Sequence, residues 1–116
     1  GTIESVKSAA IQLSERFYEN FENARILKAF GDEHRLDILT ELQNGEMGAS
    51  ELIEKLNIGQ STLSHHMRIL CDSGIVQMKK SGKCVYYSIS EEGRNHIINI
   101  IDALTKINGY SDRRRN

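Results

Sequence analysis

The sequence predicts a mainly α-helical fold with one small β-hairpin, and three features lead to this expectation. Apolar residues recur at three- and four-residue steps along most of the chain, as they do in amphipathic helices. Two short runs rich in Val, Ile and Tyr, at 75–80 and 83–89, flank the dipeptide Ser81-Gly82, which suits a tight hairpin turn. At 116 residues the chain has the length of one domain, which we assign to residues 1–110.

Three helices are expected in the first half of the chain. An apolar stripe from Ile3 to Phe21 predicts an amphipathic helix over roughly 3–20. A second helical run covers about 22–30 and is broken by Gly31. Asp32 can then cap a third helix through its carboxylate.

Two further short helices are predicted around a glycine-bearing turn. Ser50 is the expected N-cap of the first helix, and the turn consists of residues 57–59. Ser61 is the expected N-cap of the second helix, which ends at Ser73-Gly74. Two short helices across such a turn are typical of a helix-turn-helix. With the following hairpin they form a winged helix-turn-helix, which places a helix in the DNA major groove and the hairpin on the flanking backbone.

The chain ends in a long helix and a polar tail. Ser90 is the expected N-cap of this helix, whose apolar stripe from Ile97 to Ile107 extends it to about residue 108. The tail, 111–116, is polar, and we expect it to fray.

The polar face of the helix after Ser61 and the basic hairpin are the predicted DNA-binding surface. Hydroxyl, imidazole and guanidinium groups on this helix can bond phosphates and base edges, and lysines at the hairpin tip suit the phosphate backbone. A solvated charge run and lysine protection of an edge strand are the plainer alternatives. His66 lies beside the apolar arc, and we expect it to be structural. The expected contact residues are Gln60, just before the helix, and Ser61, Thr62, Ser64, His65, Arg68, Lys79, Lys80 and Lys83.

The distribution of charge supports this surface although the whole chain has a net charge of −1. Residues 1–59 have a net charge of −5, residues 60–83 of +3 and residues 84–116 of +1. The positive segment coincides with the predicted reading helix and hairpin, where counterion release from phosphates requires it.

The order of elements and three sequence segments resemble the ArsR–SmtB family of metal-sensing bacterial repressors. The segments are Leu27–Leu39, Gln60–Leu70, and Gly82-Lys83 followed by Tyr86–Ile89. The resemblance implies a homodimer that represses a double-stranded DNA operator and leaves it when an inducer binds. It also implies that the first and last helices, about 3–20 and 91–108, form the dimer interface.

The metal sites that this resemblance implies are incomplete here. The family's cysteine box aligns with Glu46–Leu52, where Gly48 and Ser50 replace both ligand cysteines. The family's other common site, near the last helix, aligns with Glu91, Gly93, Leu104 and Ile107, which retain one carboxylate and no imidazole. We therefore expect no tight zinc or nickel binding at the usual family positions, and we predict no cofactor.

Two cysteines remain as a candidate sensor. Cys71 ends the reading helix and Cys84 lies in the second hairpin strand, so the thiols could meet and bind a soft metalloid or form a redox disulfide. The plainer alternative, which we favour, is two small buried apolar residues. His96, beside Ile97, is expected to be an interface or surface residue rather than a ligand.

Together these features predict a DNA-binding regulator in the cytoplasm. The chain has no apolar run long enough to span a membrane and no recognisable secretory signal. It has no phosphate-cradling glycine loop and no His/Glu pair at hydrolase spacing, so we expect no enzyme. The alternative is a winged-helix module that assembles proteins without reading an operator.

Overall fold

The computed structural model describes residues 1–109, and it is mainly helical with one small antiparallel sheet, as predicted. The elements are α1 (Thr2–Leu27), a 3₁₀ turn (Lys28–Phe30), α2 (Glu33–Leu42), β1 (Met47–Gly48), α3 (Ala49–Leu56), α4 (Gln60–Ser73), β2 (Val76–Ser81), β3 (Cys84–Ile89) and α5 (Glu91–Leu104). No helix among residues 1–109 combines the length and the apolar character needed to cross a membrane.

The N-terminal region forms one helix instead of the two predicted at 3–20 and 22–30. Neither proline nor glycine occurs between Thr2 and Phe30, so a change in the apolar pattern near Phe21 does not interrupt the backbone hydrogen bonds. Every residue of α1 up to Phe21 is exposed, and the first buried residue is Ile26. The protein is consequently elongated, with a radius of gyration of 19.1 Å against about 13 Å expected for a compact chain of this length.

Two of the predicted helix caps are confirmed. The Asp32 carboxylate accepts hydrogen bonds from the backbone N–H groups of His34 and Arg35, at 2.8 and 3.2 Å, and so starts α2. The Ser90 hydroxyl accepts from the backbone N–H of Gly93 at 3.0 Å and starts α5. Both satisfy donors that a helix N-terminus leaves unpaired.

Two other predicted caps are wrong, because the chain enters each helix earlier. Gly48 and Gly59, both in extended conformation, are the N-cap residues of α3 and α4, and neither helix has a side-chain cap. Ser50 and Ser61 therefore lie inside the first turns. Gln60, expected to precede the helix, is the first residue of α4.

The sheet contains one strand that the sequence did not reveal, and its hairpin is displaced by one residue. β3 lies in the centre and pairs antiparallel with β2 and with the two-residue strand β1. Ser81 pairs with Cys84, so the turn is Gly82-Lys83 rather than Ser81-Gly82. Gly82 has a φ of +64°, and glycine at the first turn position is typical of a type II′ hairpin.

The core lies between the helices and the inner face of the sheet. Ile38, Leu52 and Leu70 are its largest fully buried side chains, one from each of α2, α3 and α4. Helix α5 adds Ile97 and Ile100 and ends at Leu104, short of the predicted residue 108. The predicted polar tail, 111–116, lies outside the described residues.

Candidate nucleic-acid interface

Helix α4 has one buried face and one exposed polar face. Leu63, Met67 and Leu70 are buried as predicted, which fixes the rotation of the helix. The opposite face is exposed and lines one shallow depression, whose residues are Gln60, Ser61, Ser64, His65 and Arg68. Thr62, which was also predicted to contact DNA, is half-buried and does not line the depression.

The predicted wing lysines lie at three different places on the hairpin. Lys79 pairs with Tyr86 in the register and Lys80 with Val85, so the two lysines point to opposite faces of the sheet. The Lys79 Nζ atom lies 3.4 Å from the Glu46 carboxylate, which offsets part of its charge. Lys83 lies in the turn and lines a cavity of about 500 Å³ together with Gln60 and Ser64, so this cavity lies between the tip of the wing and the start of α4.

His66 has the structural role predicted for it, and its main partner is Arg35. The histidine is buried, and Arg35 Nη1 lies 3.2 Å from His66 Nδ1. The guanidinium also donates to the backbone carbonyls of Ala29, at 2.7 Å, and Lys28, at 3.2 Å. One buried arginine therefore joins α4 to the 3₁₀ turn and to α2.

The surroundings of His66 favour its neutral form. Burial lowers the pKa of this imidazole and the Asp32 carboxylate raises it, while the positive charges of Arg35, His65 and His34 lower it further. Because an arginine has only donors, the Nδ1 atom facing Arg35 must be the acceptor. The ring is held without a proton on Nδ1, next to a carboxylate.

The two cysteines are free thiols with different surroundings. Cys71 is half-buried near Tyr87, and burial, with a contribution from Asp72, raises the pKa of its thiol. Cys84 is exposed and neighbours Tyr86. Since adjacent residues of a strand point to opposite faces, Tyr86 and Tyr87 lie on different sides of β3. The fold does not bring the two thiols together.

Two of the positions aligned with the family's metal sites, Gly48 and Gly93, have structural roles in this chain. Gly48 is the N-cap of α3, and its Cα hydrogens face the Tyr86 ring, because an added Cβ would lie 3.6 Å from it. Ser50 is exposed. Gly93 packs against Gly74, so that a Cβ at position 93 would lie 2.7 Å from the Gly74 carbonyl carbon. A ligand side chain at position 93 would require the backbone to move.

Several known proteins are similar to this chain in sequence and in fold. The family model for bacterial regulatory proteins of the arsR family matches residues 32–78. An HTH-type transcriptional regulator of Methanocaldococcus jannaschii is 42% identical over 88 residues, which are 74% of this chain and 99% of the relative. The arsenical resistance operon repressor of Staphylococcus aureus is 39% identical over 94 residues, which are 79% and 86% of the two chains.

A solved structure agrees with these sequence matches. NolR from Sinorhizobium fredii superimposes with a TM-score of 0.63 at 31% identity, over 84% of this chain and 94% of that one. The winged helix-turn-helix prediction is therefore confirmed. The chain belongs to the arsR family of bacterial regulatory proteins and is a DNA-binding transcriptional regulator.

Proposed function

We propose that this protein is a homodimeric repressor that reads its operator with α4 and holds the DNA backbone with the wing. The exposed polar face of α4 beside a basic hairpin is the observation that carries this proposal. The buried inner face of α4 keeps that polar face outward, as insertion into a major groove requires. A regulator of this kind acts where the chromosome is, in the cytoplasm.

The exposed apolar surface of the terminal helices supports the dimer. Phe17 and Phe21 on α1 are 65% and 69% exposed, and Ile101 on α5 is 48% exposed. Further exposed apolar residues on these helices are Ile3, Val6, Ile11, Leu13, Tyr18, Ile98 and Leu104. An apolar surface of this length is unusual on a monomer and marks an interaction site. A second copy of the chain, related by a two-fold axis, would cover it on both subunits.

Within this proposal the helix and the wing have different tasks. Residues of α4 such as His65 and Arg68 contact base edges, and Ser61, Thr62, Ser64 and Gln60 contact bases or phosphates. Lys79, Lys80 and Lys83 supply sequence-independent backbone charge. Lys83 lines the same cavity as Gln60 and Ser64 of α4, whereas the Glu46 carboxylate limits the contribution of Lys79.

DNA-binding measurements test whether α4 contacts the bases and the wing contacts the backbone. A binding site is first selected from random duplex DNA, and affinities are then measured at several salt concentrations. We expect Arg68→Ala and His65→Ala each to lose about 1–3 kcal/mol on the selected site. Arg94→Ala, an exposed arginine on α5, is the matched control and should have little effect.

The wing variants should behave differently from the α4 variants. Lys80→Ala and Lys83→Ala should weaken binding to all sequences about equally and reduce the salt slope by roughly one unit. If they instead change the preferred sequence and leave the salt slope intact, the assignment of tasks is incorrect. A promoter fusion that loses expression when the protein is deleted would indicate activation in place of repression.

The dimer is tested at the apolar face of α5. Ile101→Glu should raise the dimer dissociation constant on the order of a hundredfold or more, because the dimer would bury an unpaired carboxylate from each subunit. The monomer should still fold, since Ile101 is half exposed within it. Asn95→Glu places the same charge on the exposed polar side of α5 and serves as control. Sedimentation velocity that finds wild-type monomer at micromolar concentration would contradict the proposal.

The alternative of a protein-interaction module is not favoured, because the matched relatives are named as transcriptional regulators. We propose regulation of transcription rather than catalysis. The inducing signal differs from that of a cysteine-box sensor, because Gly48 and Ser50 supply no thiolate. The candidate thiol sensor of Cys71 and Cys84 would have to act through one cysteine at a time.

A further inference from the structure

We propose that Asp32, His34 and His66 form a binding site for a divalent transition-metal ion of the Zn²⁺ class, away from the family positions considered above. The three residues come from the start of α2 and the middle of α4. One ligand atom from each lies within 4.8 Å of the others, and these residues form the only such group of three among residues 1–109.

The distances are close to those that a metal requires. Asp32 Oδ1 lies 3.8 Å from His34 Nδ1 and 3.8 Å from His66 Nδ1. Zinc bonds of about 2.0–2.1 Å in a tetrahedral site place ligand atoms roughly 3.3 Å apart. The two carboxylate–imidazole distances must therefore shorten by about half an ångström, and the separation of the two imidazole nitrogens, which is at most 4.8 Å, by up to about 1.5 Å. Rotation of the exposed His34 side chain can supply this contraction.

The protonation states are also suitable. Metal ligands must be a neutral imidazole or an ionised carboxylate. The Asp32 carboxylate accepts hydrogen bonds from the backbone N–H groups of His34 and Arg35, at 2.8 and 3.2 Å, which stabilise its ionised form. The Nδ1 atom of His66 has no proton because Arg35 donates to it. The same lone pair can bind a metal ion.

Arg35 competes with a metal ion for the lone pair on His66 Nδ1. The other hydrogen bonds of its guanidinium allow it to give up this one. When a metal binds Nδ1 of His66, the guanidinium loses one of its three hydrogen bonds. It keeps those to the carbonyls of Ala29 and Lys28. The positive charge of Arg35 and the positive end of α2 oppose a cation, so we expect weaker binding than in a closed four-ligand zinc site. Two His and one carboxylate leave positions for water and suit zinc, cobalt or nickel.

The rings of His34 and His66 already lie together. Their centroids are 5.3 Å apart and their planes differ by 19°, so the rings are stacked. Because a metal ion lies near the plane of each imidazole that binds it, the exposed His34 ring must turn out of this stack to bind the same ion as His66. His65 packs edge-on against His66 at 5.1 Å, which places the site directly behind the exposed face of α4. A bound metal ion would therefore tie α2 to the helix that we propose to read DNA.

The experiment is a titration of the untagged, reduced protein with Zn²⁺ against a chromophoric chelator, and with Co²⁺ followed by absorption. We expect one metal ion per chain and a cobalt spectrum without thiolate charge-transfer bands. His34→Gln should weaken zinc binding at least about tenfold, because it removes a ligand from an exposed position. His96→Gln is the matched control on α5 and should bind as the wild type does.

Two further variants separate loss of ligand from loss of fold. Asp32→Asn retains a good helix cap but removes the anionic ligand, so it should fold and bind zinc more weakly. The double variant Cys71→Ser, Cys84→Ser should retain binding. At the same zinc concentration, the melting temperature of the wild type should rise more than that of His34→Gln. Absence of zinc binding in the wild type, or equal affinity in His34→Gln and wild type, would overturn the proposal.

Discussion

The contact between Gly93 and Gly74 gives the sharpest prediction for stability. Gly93 is in the first turn of α5, and a Cβ there would overlap the Gly74 carbonyl oxygen and lie 2.7 Å from the carbonyl carbon and 3.3 Å from Ile75 Cα. All of these are backbone atoms, so no side-chain rotation can relieve the overlap. Gly93→Ala must push α5 away from the end of α4.

The cost of this displacement follows from known substitutions. Forcing extra volume into a well-packed contact costs about 1–3 kcal/mol, and alanine recovers up to about 1 kcal/mol of helix propensity. The shift also strains the Ser90 N–H bond to Ile75 O, at 2.8 Å, and the cap bond from Gly93 to Ser90. Each of these contributes roughly 1 kcal/mol. We expect Gly93→Ala to be destabilised by about 2 kcal/mol.

Urea unfolding measures this loss, and it is done at fixed protein concentration because the proposed dimer would make stability concentration-dependent. Gly59→Ala is the matched control, since a Cβ at Gly59 meets open space and its extended backbone suits alanine. The weaker N-cap preference of alanine is then offset by the lower conformational entropy of its unfolded chain. If Gly93→Ala unfolds within about 0.5 kcal/mol of the wild type, α5 can move freely over Gly74. Contact with Gly74 would then not explain why position 93 has no side chain that could bind a metal ion.

Two further predictions concern the wing and the thiols. Cys84 should react with iodoacetamide at least about tenfold faster than Cys71 at neutral pH, because Cys71 is half-buried and its raised pKa reduces the reactive thiolate fraction. Peptide mass spectrometry measures the two rates. Faster reaction of Cys71 would contradict this placement of the thiols. Glu46→Gln should free Lys79, tighten binding to bulk DNA and increase the salt slope by up to about one unit. The control Glu15→Gln, on the exposed part of α1, should change neither the affinity nor the slope. An unchanged slope in Glu46→Gln would mean that Lys79 does not contact phosphates.

The sequence was most informative where structure depends on neighbouring residues. The Asp32 and Ser90 caps and the two faces of α4 follow from short patterns, and the structure agrees with each. The hairpin was predicted in the same way, and its turn differs from the prediction by one residue. The boundary errors are local too. Extended glycines at 48 and 59 start α3 and α4 before the serines that were expected to cap them, since a glycine N-cap leaves no side-chain signature.

Features that depend on distant residues could not be predicted in this way. Arg35 and His66 are separated by 31 positions, and no periodicity indicates that one donates to the other. Strand β1 has only two residues, and it is defined by pairing with Tyr86 and Tyr87 far along the chain. The group formed by Asp32, His34 and His66 is hidden for the same reason, because the sequence places His34 on one helix and His66 on another.

The direction of the polar face of α4 and the spacing of the two α4 helices in the proposed dimer depend on different parts of the molecule. Within one subunit, the Arg35–His66 hydrogen bond fixes the middle of α4 and the Gly74–Gly93 contact fixes its end, so the direction of the polar face is a property of the monomer core. In the proposed dimer, the distance between the two α4 helices instead depends on the exposed apolar faces of α1 and α5. Variants such as Arg68→Ala should therefore alter affinity for one half-site, whereas Ile101→Glu should abolish the gain from reading two half-sites together. A half-site duplex distinguishes them, because Ile101→Glu should bind it as well as the wild type does and Arg68→Ala should not.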